Sequence, residues 1–92
     1  MKELDTYQLS PRVQITRGST VRFSGGGPEH NGNRMTLPGK FQVRKVLGRG
    51  QRVYLEVYGL DQTGGTYTVF ISGRAYKNAG LTWRPYKIRR CK

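Results

Sequence analysis

The feature that most constrains this chain is how seldom an apolar run survives. Thirteen glycines and four prolines punctuate the 92 residues, and between them apolar residues alternate with polar ones. Alternation with a period of two marks half-buried strands, whereas an amphipathic helix needs a period of about 3.6. Four segments carry the strand pattern. Thr20–Ser24 sets Val21 and Phe23 on one face. Lys40–Leu47 sets Phe41, Val43 and Leu47 together, with Gln42 and Arg44 opposite. Arg52–Tyr58 turns Val53, Leu55 and Val57 inward and Tyr54, Glu56 and Tyr58 outward. Thr66–Ser72 turns Tyr67, Val69 and Ile71 inward and Thr66, Thr68, Phe70 and Ser72 outward. Val13 and Ile15 open a shorter strand, and Thr82–Arg90 is a further one, with Pro85 marking an edge or a bend.

The connections are legible too. Thr16–Ser19 reads as a turn, Gly48–Gln51 as a tight hairpin, and Asp61–Gly65 as a second, with Gly64-Gly65 supplying positive φ. Residues 25–39 read as one long loop, too polar and Gly-rich for strand or helix. Residues 73–80 have room for one helical turn around Ala75-Tyr76-Lys77. Residues 1–11 form an N-terminal arm, one helical turn or extended, which Ser10-Pro11 ends. Residues 1–92 are then a single all-β domain of about five short strands. Left flat, such a sheet exposes one face and two edges, so it closes into a small barrel or folds into two packed sheets.

Charge narrows the function. Seventeen Lys and Arg stand against five Asp and Glu, a formal net charge of +12. Residues 1–39 carry +2 and residues 40–92 carry +10. Solubility asks for only about 2 to 8 charges on a small domain, and the surplus repels itself unless a polyanion is near. An acidic partner is expected. The lone cysteine, Cys91, cannot form an intramolecular disulfide, which points to a reducing, cytoplasmic setting. No apolar stretch approaches the ~20 residues of a membrane span, and Met1–Asp5 lacks a signal-peptide core, so no membrane partner is expected.

The order Gly18-Ser19-Thr20-Val21-Arg22-Phe23, a long loop, Gly39-Lys40-Phe41-Gln42-Val43-Arg44-Lys45-Val46, then Arg52-Val53-Tyr54-Leu55-Glu56-Val57 resembles an SH3-like small β-barrel. It is similar in particular to the KOW-type barrels of ribosomal and transcription-elongation proteins. The resemblance implies a five-stranded barrel. Residues 25–39 would be the RT loop, Gly48–Gln51 the n-Src loop, Asp61–Gly65 the distal loop, and residues 73–80 a one-turn helix before the last strand. It also implies binding to RNA, DNA or protein rather than catalysis. An OB-like barrel is the structural alternative.

Three constellations bear on function. Arg44, Arg52, Tyr54, Tyr58, Thr68 and Phe70 share the face opposite the expected core. Nucleobases stack on exposed rings while arginines neutralise phosphates; alternatively, the same rings cover a second small core under the arm or the long loop. The segment Trp83–Lys92 is dense in cations, anchored by Ile88 and by Trp83 or Tyr86, and ends in a basic tail at 89–92. The glycines of residues 25–34 could cradle a phosphate in a recognition loop, although no P-loop or dinucleotide fingerprint is present. The expected nucleic-acid-binding residues are Arg44, Lys45, Arg49, Arg52, Tyr54, Phe70, Arg74, Tyr76, Lys77, Arg84, Lys87, Arg89 and Arg90.

Catalysis is not expected, because Glu29-His30 is the one acid–base pair in view and nothing positions it. One His and one Cys far apart make no metal site, and no cofactor is expected. The leading expectation is a non-enzymatic nucleic-acid-binding module, with single-stranded nucleic acid or RNA favoured. No recognition helix is visible for a duplex major groove. The alternative is a small adaptor or inhibitor subunit on an acidic protein surface.

Overall fold

A computed structural model describes residues 1–61 and 64–91. These residues form twelve strands: β1 (Lys2–Leu4), β2 (Thr6–Ser10), β3 (Val13–Thr16), β4 (Thr20–Ser24), β5 (Gly27–His30), β6 (Asn33–Arg34), β7 (Phe41–Arg49), β8 (Arg52–Gly59), β9 (Thr66–Ser72), β10 (Tyr76–Asn78), β11 (Leu81–Arg84) and β12 (Lys87–Cys91). All their ladders are antiparallel. The fold is all-β, and no helix occurs among the described residues. In particular, no helix there is long and apolar enough to cross a membrane.

The main sheet runs β12-β4-β7-β8-β9. Strand β7 is long enough for two partners on one edge: β4 pairs near its start (Val21↔Phe41) and β1 near its end (Leu4↔Val46). A second sheet runs β10-β11-β5-β6, and β2 with β3 makes a separate ribbon. The main sheet is not closed into a barrel. No ladder joins β12 to β9; the Tyr86 N–H donating to the Phe70 carbonyl (2.9 Å) bridges the gap. Pro85 explains this. Having no N–H, it breaks the expected Thr82–Arg90 strand into β11 and β12, which join different sheets.

The core gathers Ile15, Val21, Phe23, Phe41, Val43, Val46, Leu55, Val57, Val69, Ile71 and Tyr86. Phe23 and Phe41 meet at 5.4 Å between ring centroids, and the β2–β3 ribbon contributes Ile15 to the core and packs Tyr7 and Leu9 against it. Such burial removes apolar area from water and supplies most of the drive to fold.

Of its two expected forms the arm 1–11 takes the extended one and supplies β1 and β2. Three local expectations are corrected. Residues 25–39 are not one loop, because Asn31 (φ 50) and Gly32 (φ 81) make the two-residue turn of a β5–β6 hairpin. Residues 73–80 hold no helical turn; Ala79-Gly80 close a β10–β11 hairpin. Val46 replaces Leu47 in the core, since a bulge between Val43 and Lys45 inserts a residue and reverses the alternation. The expected Asp61–Gly65 turn includes residues 62 and 63, which lie outside the described residues.

Candidate nucleic-acid interface

Strands β8 and β9 are covered on both faces where Tyr54 and Phe70 lie. Their inner face enters the main core through Leu55, Val57, Val69 and Ile71. On the outer face Tyr54 and Phe70 are register partners across the ladder. The β10–β11 hairpin folds over them, bringing Tyr76 and Trp83, themselves cross-strand partners, onto the pair. The rings pack in sequence: Tyr54–Phe70 at 5.4 Å, Phe70–Tyr76 at 5.3 Å, and Tyr76–Trp83 at 6.2 Å with only 9° between planes. The Tyr54 hydroxyl donates to the Tyr76 hydroxyl (3.2 Å), and the Trp83 indole N–H donates to the Asn78 carbonyl (3.2 Å). Burial pushes the Tyr76 phenol up to about 12 despite the arginines beside it.

This corrects the expectation of exposed stacking rings at Tyr54 and Phe70. They are 8% and 4% exposed, because the hairpin removes their apolar surface from water. They form a second small core, roofed by the segment expected to be helical rather than by the arm or the long loop.

Arginines gather at the open end of this cluster. The β7–β8 hairpin turns at Gly50-Gln51, which places Arg49 and Arg52 directly opposite each other. The Arg52 guanidinium lies over the Tyr76 ring, 4.2 Å from its centroid, a cation–π arrangement. Gly73 makes that path possible: with φ +127, a Cβ there would come within 2.9 Å of Arg52 Cγ. Because β9 ends beside the start of β8 (Val53↔Ser72), Arg74 reaches the same end. Arg49, Gly50, Gln51, Arg52 and Arg74 line a shallow depression of about 250 Å³.

The other expected site residues fall elsewhere. On the outer face of β4 and β12, Arg89 stands opposite Arg22, and Lys87 opposite Ser24. Arg44 lies over the Tyr58 ring (5.1 Å), and its neighbour Lys45 faces Glu56 across β7–β8. Lys77 and Arg84 sit on β10 and β11 of the second sheet. Arg90 donates to the Gln14 carbonyl (3.2 Å), tying β12 to the β2–β3 ribbon, so its guanidinium is partly committed to the fold. Lys92 of the expected tail lies outside the described residues.

The sequence reading missed Arg22 and Trp83 as members of these groups. Arg22 was discoverable from its alternation against Val21 and Phe23, but Trp83 needed the hairpin. Few acids compete for these cations. Among the described residues one ion pair forms, Arg34 with Glu29 at 3.1 Å, and Asp61 accepts from the Lys40 backbone N–H (2.8 Å). No three His, Cys, Asp or Glu side chains come together there. Comparison with known proteins finds no matching family model, no matching curated protein and no matching solved structure.

Proposed function

We propose that this chain is a non-enzymatic nucleic-acid-binding module for single-stranded nucleic acid or RNA. The supporting observation is a pair of like-charge pairs. Arg22 opposes Arg89, and Arg49 opposes Arg52, each directly across an antiparallel ladder. Like charges at such positions destabilise a sheet, and among the described residues no carboxylate forms an ion pair with any of the four. A phosphate backbone relieves this repulsion, and guanidinium forks match phosphate oxygens two at a time. In this reading the phosphates contact Arg22, Arg44, Lys45, Arg49, Arg52, Arg74, Lys87 and Arg89. Tyr58 and Trp83 supply the stacking surface in place of the covered Tyr54 and Phe70. A cytoplasmic setting belongs to the same proposal, supported by the free thiol of Cys91.

The SH3-like architecture is part of this reading as well. In its support, β4, β7, β8 and β9 meander in chain order, and the last strand, β12, returns to pair with the first of them. The test is fluorescence polarisation of labelled single-stranded RNA, single-stranded DNA and duplex DNA between about 50 and 300 mM salt. A single-strand log–log slope of several units, about 0.7 per phosphate contacted, is expected. Equally weak binding to all three, lost near physiological salt, would reject the proposal.

One observation favours a second reading, an adaptor on an acidic protein surface. A groove of about 300 Å³ is lined by Phe23, Leu37, Met35 and Tyr86 and flanked by Arg34. Met35 is 51% exposed, and the Tyr86 hydroxyl holds its carbonyl at 2.7 Å. Apolar anchors beside a cation suit a protein contact.

A further inference from the structure

We propose that the tip of the β7–β8 hairpin is a site for a terminal phosphate, the phosphomonoester at the end of a nucleic-acid strand. This rests on the nucleic-acid reading and sharpens it. Three observations carry it. Arg49, Arg52 and Arg74 are the charged residues lining the depression at the tip, so no carboxylate offsets them. None of the three guanidiniums donates a hydrogen bond or joins an ion pair among the described residues, so their donors remain open to a ligand. Finally, Arg52 is oriented before any ligand arrives, held between the backbone at Gly73 and the Tyr76 ring, which itself stacks on Trp83.

The charge count selects the kind of phosphate. A backbone phosphodiester brings one negative charge. A monoester brings about 1.5 to 2 at neutral pH, with three acceptor oxygens. Three arginines lining one depression match the monoester better, and they act most strongly where one fork is already fixed. A guanidinium held over a ring face spends no N–H donor on that contact, which leaves its fork for bidentate contact with phosphate oxygens. The outer face of β4–β12 differs: among the described residues no ring lies under Arg22 or Arg89, which suit an unselective backbone contact.

The experiment compares one oligonucleotide in three forms: 5′-phosphorylated, 3′-phosphorylated and with both ends hydroxyl. Affinities are measured by polarisation from an internal label at fixed salt. One phosphorylated form should bind about tenfold more tightly than the hydroxyl form. Arg52→Lys, which keeps the charge and loses the planar fork, should erase most of that increment, and Gly73→Ala should do the same by displacing Arg52. Arg89→Ala should weaken all three forms by a similar factor. Circular dichroism and melting of each variant establish that it is folded, and Arg49→Ala gives an independent reading should Gly73→Ala prove unstable. Equal affinity of the three forms overturns the terminal-phosphate site while leaving the nucleic-acid reading standing. Failure of all three to bind overturns both.

Discussion

The two faces of the β8–β9 ladder do different work with adjacent residues. One face sends Leu55, Val57, Val69 and Ile71 into a closed core shared with the aromatic side chains of Phe23, Phe41 and Tyr86. The other sends Tyr54 and Phe70 into an all-aromatic cluster with Tyr76 and Trp83, which ends on arginines rather than on more core. The first face is roofed by strands from both ends of the chain, so losing it loses the fold. The second is roofed by a single hairpin, β10–β11. Part of the second face can be given up while the main sheet persists, and a ring system that ends at the surface orients a cation as a closed core cannot. The comparison separates a stabilising interior from a surface-directing one.

The largest expected effect tests the first face. Leu55 is fully buried, at 0% exposure, so Leu55→Ala opens a cavity in a thin core. It should lower stability by about 3 kcal/mol, read from urea unfolding midpoints at constant slope. A loss under about 1 kcal/mol would show that this core collapses around the gap, and the contrast between the faces would weaken.

A smaller loss is expected on the second face. Phe70→Leu keeps apolar volume but deletes ring contacts to Tyr54 and Tyr76, each worth about 0.5–1.5 kcal/mol. Together the two are worth about 1–3 kcal/mol, and because leucine repacks part of the space the net loss should be about 1–2 kcal/mol, with a change in Trp83 fluorescence as the stack loosens. If Phe70→Leu instead matches Leu55→Ala, the two faces are one core and the division fails.

The main strands were readable because alternation and turn chemistry agree. β4 and β9 lie where the pattern of Val21/Phe23 and Val69/Ile71 places them, and Gly50-Gln51 turns where expected. What escaped depends on tertiary contact. Nothing local says that Tyr76 and Trp83, separated by polar residues, will fold back on Tyr54 and Phe70, since that burial is decided by the outer face of a distant ladder. The bulge at Arg44–Lys45 leaves the alternating pattern in the sequence intact while turning Val46 inward in place of Leu47. Asn31-Gly32 was a legible hairpin signal, outweighed by the surrounding glycine and polarity. As for the site, the cationic surplus was visible in composition. The meeting of Arg74 with Arg49 and Arg52 was not, because it follows from the register of β8 with β9.

The pH response sharpens the comparison without a large cavity. Tyr76 holds its proton more tightly folded, at about 12, than at its ordinary value of 10.0, chiefly through burial. Below about pH 10 both states keep the proton and this contribution is fully present. Between about 10 and 12 the unfolded chain releases it first, so stability falls as pH rises through that window. Burial raises the Tyr86 phenol in the main core too, so wild type should lose stability from both faces. Tyr76→Phe should lose less than wild type over the same window in thermal melts. An identical pH profile in the two proteins would show that the outer face of β8–β9 does not bury Tyr76.

The smallest effect concerns the hairpin that makes the second face possible. Its turn places Ala79 at φ 54 and Gly80 at φ 77, and Ala79 there suffers the clash that left-handed backbone imposes on an L-residue. The β5–β6 hairpin solves the same problem with Asn31-Gly32. Asn tolerates positive φ and is the preferred first residue of such a turn. Ala79→Asn should therefore stabilise the protein by about 0.5–1 kcal/mol. If β10–β11 opens independently of the main sheet, the gain should concentrate in hydrogen-exchange protection of that hairpin's amides. A uniform rise in protection across β4, β7 and β8 would mean that hairpin and sheet open together. The second face could not then loosen without the first, and the aromatic cluster would have to be counted as part of the fold's single cooperative interior.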